Sequence, residues 1–142
     1  PIIKIPVEIY IPENFINDVD LRLSIYKRIS NISNNKEIEE IKIELIDRFG
    51  RLPIQLNNLF KLVEIKIICM KYNIEKFEFS RKGVLITFFQ NKPRNPEKLL
   101  ELSLSRKSSL TLRPDQKIFY EFRGNLIDDR FELSKKIVNL LK

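Results

Sequence analysis

The chain has 142 residues and a net charge of +7, from 26 Lys and Arg against 19 Asp and Glu, with 43% hydrophobic residues. A chain of this length can bury roughly 70% of its unfolded surface and fold as one domain without metal or disulfides. With no His and a single Cys, the sequence excludes His-based triads and general bases, His or Cys zinc sites and a disulfide framework. The positive balance raises nucleic acid as a partner. However, 22 Ile, 16 Lys and 12 Asn with no Ala is also what an AT-rich coding sequence produces.

No apolar run approaches the ~20 residues that span a bilayer. The N-terminus carries no signal-peptide pattern, so a cytoplasmic location without membrane contact is expected. Cys69 lies in the apolar run Ile67-Ile68-Cys69-Met70 and reads as a buried helix residue. The chain opens on Pro1 rather than Met and reads as a segment of a longer protein.

In chain order, residues 3–9 read as an edge strand, because Pro6 would interrupt a central one. The first helix is predicted over 18–30, capped by Asn17, with Leu21, Ile25, Ile29 and Ile32 as its apolar stripe. Asp18 and Arg22 stand at i, i+4, the spacing of a helical ion pair. A second helix is predicted over 36–49, capped by Asn34 with Glu37 at the capping-box position and Ile38, Ile41, Leu45 and Phe49 inward. Gly50 follows as the C′ residue, where positive φ suits Gly. Pro53 opens a third helix at a first-turn position, extending to Tyr72 and apolar on several sides.

Beyond Asn73 the period changes to two. Residues 74–80 and 84–90 read as a hairpin about Arg81-Lys82-Gly83. Asn95-Pro96 starts a helix over 96–104, and 110–113 and 117–122 form a second hairpin about Pro114-Asp115-Gln116. Gly124-Asn125 precede a last helix over 126–141. The order β-ααα-ββ-α-ββ-α predicts an α+β fold, helices packed on a small, mainly antiparallel sheet. Residues 1–12 read as an N-terminal strand and linker, and 13–142 as a single domain.

No phosphate-binding loop is present, and the paired carboxylates Glu39-Glu40 and Asp128-Asp129 diverge by about 100° on a helix, so no catalytic residue, metal ligand or cofactor site is assigned. The strand aromatics Phe77, Phe79, Phe88, Phe119, Tyr120 and Phe122 fit core packing better than a stacking platform. One feature opposes the net charge. Glu37, Glu40, Glu44 and Asp47 fall within a sector of about 80° on the second helix, facing away from its apolar stripe. An outward acidic column is either an ordinary solvated face or a docking edge for a basic protein surface. Residues 1–72 carry only +1, and 73–142 carry +6.

Two strings resemble a known family. Residues 9–29, from Ile9-Tyr10-Ile11-Pro12 through Asp18, Arg22 and Tyr26-Lys27-Arg28, follow the pattern I-P-x-x-Y-I-x-D-x-x-x-R-L-x-x-Y-K-R, with Phe15 in place of the usual Tyr. Glu44-Leu45-Ile46-Asp47-Arg48-Phe49-Gly50-Arg51-Leu52-Pro53 is the second string. Both are similar to the C-terminal domain of bacterial transcription-repair coupling factors. The resemblance implies a parent ATP-driven double-stranded DNA translocase that displaces stalled RNA polymerase and recruits excision repair. ATP and Mg would belong to motor lobes outside this segment. The domain itself is implied to be a non-enzymatic, monomeric, autoinhibitory module. It would pack on the N-terminal module of the same chain and mask the surface for the excision-repair damage-recognition ATPase. On that reading Glu37, Glu40, Glu44 and Asp47 form the docking edge, while Asp18, Arg22, Arg48, Phe49, Gly50 and Pro53 are mainly structural. The competing reading is a basic nucleic-acid-binding module acting through residues 73–142.

Overall fold

The computed structural model describes residues 1–105, 108–122 and 130–141. Its elements are β1 (Ile2–Lys4), α1 (Val19–Ser30), α2 (Asn35–Phe49), α3 (Ile54–Lys71), β2 (Ile74–Phe79), β3 (Gly83–Phe88), α4 (Pro96–Leu104), β4 (Leu110–Leu112), β5 (Ile118–Glu121) and α5 (Arg130–Leu140). The chain divides into two compact units: Val7–Ile67, and Pro1–Pro6 with Ile68–Lys142.

The first of these is helical. Its core joins Ile25 and Ile29 of α1, Ile38, Ile41 and Leu45 of α2, and Leu56, Phe60 and Val63 of α3, closed by Ile11 and Ile16 from the preceding loop. These are the stripes that periodicity predicts. The caps differ in detail. Asp18, not Asn17, caps α1, its carboxylate accepting from the Asp20 N–H at 2.9 Å. That carboxylate is therefore not the partner of Arg22, whose Nη1 donates instead to the carbonyls of Ile16 (2.7 Å) and Asn17 (3.1 Å). Tyr26 accepts the Ile11 N–H on its hydroxyl at 2.6 Å, tying the entry loop to α1. Asn34 caps α2 as predicted. Gly50 ends α2 at φ 91°, a conformation open to Gly almost alone. α3 begins at Ile54, one residue later than predicted, and the carbonyl of the preceding Pro53 accepts from the Asn57 N–H at 3.0 Å.

The second unit holds a five-stranded sheet in the order β1-β2-β3-β5-β4. β1 is an edge strand, as Pro6 demands, but it ends at Lys4 and runs parallel to β2; all other pairings are antiparallel. The predicted strand over 3–9 is too long because Pro6, with no N–H to donate, stops the ladder early. Gly83 is also relocated. It opens β3 instead of completing the turn, which is Ser80-Arg81-Lys82. Its missing side chain lets β5 close on β3, since a Cβ there would overlap the Tyr120 carbonyl oxygen and lie 2.7 Å from Phe119 Cζ. α4 begins at Pro96 with Asn95 as its cap, as predicted. α5 buries Phe131, Leu133, Ile137 and Val138. The predicted start of this last helix at 126, and Gly124-Asn125 before it, lie outside the described residues. Cys69 is buried, and burial pushes its thiol up to about 12, away from nucleophilic use.

Past the end of β3 the chain makes a tight turn, Phe89-Gln90-Asn91-Lys92, closed by the Lys92 N–H on the Phe89 carbonyl at 3.1 Å. Gln90 and Asn91 both have left-handed φ (54° and 55°). That conformation costs an L-residue about 1 kcal/mol or more, so the turn needs external support. Asn73 supplies it: its side-chain amide donates to the carbonyls of Phe89 and Lys92, and its own carbonyl accepts the Phe89 N–H at 2.9 Å.

The two glycines yield expectations with different causes. Gly83→Ala should lower stability by about 1–3 kcal/mol through overpacking. Gly50 faces open space, so only backbone strain acts there, and Gly50→Val should cost more than Gly50→Ala because a β-branched residue tolerates positive φ least. Urea unfolding of the four chains checks both; equal stability of wild type and Gly83→Ala would refute the close-approach role.

Candidate protein-docking site on the second helix

The four acidic residues of α2 share one face, but the fold uses them unequally. Glu37, at the third position of the helix, folds back on the residues before it. Its carboxylate accepts from the Ser33 N–H (3.1 Å), the Ser33 hydroxyl (3.2 Å) and the Asn34 side-chain amide (2.9 Å). Its own N–H donates to Asn34 Oδ1 at 3.0 Å. This is a capping box, and it holds Glu37 half-buried against the helix start. Glu44 pairs with Arg28 of α1, whose Nη1 donates to Oε2. The hydrogen bond from Arg28 is the main cause that draws the Glu44 carboxyl below its ordinary value, with a lesser pull from Arg48. The same bond raises the Arg28 guanidinium. Both side chains remain largely solvated, so this pair is worth under about 1 kcal/mol.

Glu40 and Asp47 are different. Both are exposed, and neither has an ion-pair partner among the described residues. Glu37, Glu40 and Glu44 border one shallow hollow with Arg28, Asn31 and Ile41. Asp47 lies one turn further along α2. On the same outward surface Ile43 and Ile46 are exposed, at 65% and 48%. Ile46 borders a second hollow with Arg51, Leu52, Pro53, Ile54 and Asn57. The edge is thus acidic with apolar side chains set into it, a composition that suits a protein surface better than bulk water.

The remaining signature residues build the frame. Arg48 lies over the Phe49 ring at 5.0 Å, and Phe49 packs on Phe15 with centroids 5.7 Å apart. The ring of Phe15 is what this contact uses, so the absent hydroxyl changes nothing there. Sequence reasoning missed the Arg28–Glu44 pair and the exposed isoleucines. Arg28 stood in the first resembling string, but sixteen residues separate it from Glu44, and no local spacing rule links them. Among the described residues no group of His, Cys, Asp and Glu is arranged to hold a metal ion. No helix of the described residues is long and apolar enough to cross a membrane.

The fold and this edge define a class: an α+β domain whose helical unit carries an acidic surface. A crystal structure of the C-terminal domain of transcription-repair coupling factor has the same fold, with a TM-score of 0.77 over 97% of this chain and 87% of that one at 23% identity. The sequence model of the TRCF domain matches residues 5–99. The transcription-repair-coupling factor of Rickettsia conorii is 39% identical over 84% of this chain, and that of Haemophilus influenzae 32% identical over 99%. The Escherichia coli protein is 42% identical over 92 residues. The chain therefore belongs to the transcription-repair-coupling-factor family, as its TRCF domain. It spans 11% of the Rickettsia conorii relative and 12% of the Haemophilus influenzae one.

The ion pair carries a pH signature. A carboxyl drawn down in the folded state contributes stability that is present above its unfolded value, 4.5, and is lost as pH falls through the lower folded value. Arg28→Ala should return the Glu44 carboxyl toward 4.5 in a carbon-detected NMR titration and remove that small acid-side contribution. An unmoved titration would show that the pair does not form in solution.

Proposed function

We propose that this chain is the non-catalytic, autoinhibitory domain of a bacterial, cytoplasmic, ATP-driven double-stranded DNA translocase that clears stalled RNA polymerase and couples transcription to nucleotide excision repair. ATP and Mg would act in motor lobes elsewhere in the parent. The domain's partner would be the N-terminal module of the same parent. Docking there would hide the surface that otherwise receives the damage-recognition ATPase. The observation that carries this reading is the pair Glu40 and Asp47, exposed and unpaired among the described residues on an acidic face with Ile43 between them. Such a face lacks counter-charge within the fold and gains it from a basic surface.

The energetics set a scale. A contact of about 3–4 kcal/mol keeps the open state at ~1% or below, low enough to silence recruitment and small enough for a competing event to reverse. Two exposed charges meeting cations in a partly desolvated interface, with Ile43 and Ile46 excluding water beside them, can supply energies of that order. The same column repels phosphates, which sets this face apart from any nucleic-acid contact.

Glu40→Arg with Asp47→Arg in the full-length parent tests the proposal without disturbing the capping box or the Arg28 pair. Binding of the damage-recognition ATPase and basal ATP hydrolysis should both rise, by tenfold or more if the contact has the energy above. Glu44→Arg with Asp47→Arg should also raise both, but by no more than the first pair, because Arg28 already engages Glu44. Wild-type levels of both activities in both variants would dismiss the clamp.

A further inference from the structure

The turn after β3 shares no residue with the acidic edge of α2. Phe89 is 52% exposed there, in a turn whose two central residues, Gln90 and Asn91, sit in left-handed backbone that the sequence does not ease with Gly. Three hydrogen bonds with Asn73, two donated by its side-chain amide and one accepted by its carbonyl, hold that shape. An exposed phenyl ring on a strained but clamped turn is a fixed display of an aromatic surface.

Lys92 and Arg94 follow it closely in the chain. Lys92 is the last residue of the turn, and its carbonyl is one of the two that Asn73 grips. Arg94 follows, its Nε donating to the backbone carbonyl of Lys71 at 3.3 Å, while the Lys71 ammonium lies 5.7 Å from the centroid of the neighbouring Tyr72 ring. None of the three forms an ion pair among the described residues. The segment Phe89–Arg94 contains no acidic residue, and it belongs to the half of the chain that carries +6. The aromatics of the β2–β3 hairpin are placed differently. Phe77 and Phe88 are buried, and Phe79 is packed on both Phe77 and Phe122 at 5.9 Å.

We propose that Phe89, with Lys71, Lys92 and Arg94, is a contact site for single-stranded nucleic acid, the ring stacking on a base and the cations meeting its backbone phosphates. A flat ring serves every base equally, so the contact would be tolerant of sequence. The neighbours of Phe89 favour this over docking of an apolar protein surface. Gln90, Asn91 and Lys92 are polar and exposed around it, whereas an apolar partner needs a continuous apolar patch. The site is independent of the autoinhibitory reading and stands or falls without it.

Fluorescence anisotropy of labelled dT15 and U15 with the 142-residue chain, over a salt series, tests the site and compares DNA with RNA. Three phosphate contacts predict a log–log slope of about −2 for a single strand. Phe89→Leu should weaken binding about 5- to 100-fold while Phe89→Trp restores it, which separates stacking from mere apolarity. Lys92→Ala with Arg94→Ala should flatten the slope by about 1.4. Arg81→Ala with Lys82→Ala, at the other end of the β2–β3 hairpin, should leave the Phe89 dependence intact. Thermal melting of each variant confirms that it folds; should Phe89→Leu fail to, the Phe89→Trp and Lys92/Arg94 arms decide. No binding at low salt overturns the proposal. So does Phe89→Leu binding as wild type, which would leave protein docking as the use of the turn, or equal loss from the Arg81/Lys82 pair, which would reduce the effect to net charge.

Discussion

Four like charges in one column on a helix repel one another, and how the fold relieves that repulsion determines what α2 can offer a partner. Two of the four are neutralised from within. Glu37 is taken up by backbone and side-chain donors at the helix start, where the macrodipole also favours a negative charge. Glu44 is met by Arg28 from the neighbouring helix. Glu40 and Asp47 are left to solvent. The helix thus spends alternate members of its acidic stripe on stability and keeps the others available. Were all four paired internally, the face would be inert. Were none paired, repulsion of a few tenths of a kcal/mol per neighbouring pair would accumulate along the same helix.

The same economy governs the backbone. Gly50 and Gly83 are both irreplaceable in kind but for unrelated reasons: one for a torsion that side chains resist, the other for the space that a neighbouring strand occupies. The turn at Phe89–Lys92 does without Gly altogether. Its left-handed residues are held by Asn73, itself at φ 62°, through hydrogen bonds that reach sixteen and nineteen residues along the chain. A glycine would make that turn easy and loose; a clamp makes it costly and fixed.

What the sequence discloses follows from the range of the interaction concerned. Helix stripes, the Asn34–Glu37 capping box, the Asn95-Pro96 start and the edge position of β1 were legible because each depends on residues within four or so of one another. The acidic column was legible for the same reason. The strand order, with β5 between β3 and β4, was not, because hairpin connectivity does not say which strand of the second hairpin meets the first. Gly83 was misplaced into the turn because a glycine between two strands signals a turn locally, and its actual reason, Tyr120, lies 37 residues away. The Asn17 and Asp18 caps differ by one position, within the ordinary uncertainty of helix ends, yet that shift redirected Arg22 from an ion pair to two carbonyls. The Phe89 turn left no trace in composition, because Gln-Asn is not a sequence that announces left-handed backbone.

Net charge proved the least informative number, because it averages two surfaces of opposite character. The near-neutral first half carries the acidic edge, and the second half carries Phe89 with Lys92 and Arg94. The partial internal pairing of that edge bears on how a clamp can open. A partner cation approaching Glu44 must compete with Arg28, already hydrogen-bonded there, so exchange of one guanidinium for another yields little net energy. Glu40 and Asp47 have nothing to exchange, and contribute their full gain. On the docking proposal, an edge so divided would bind through half of its charges and would release without stranding Glu44, because Arg28 remains in place to receive it. Modest affinity with little penalty for opening would suit the reversible intramolecular contact proposed above, and a fully unpaired acidic column would lack that combination.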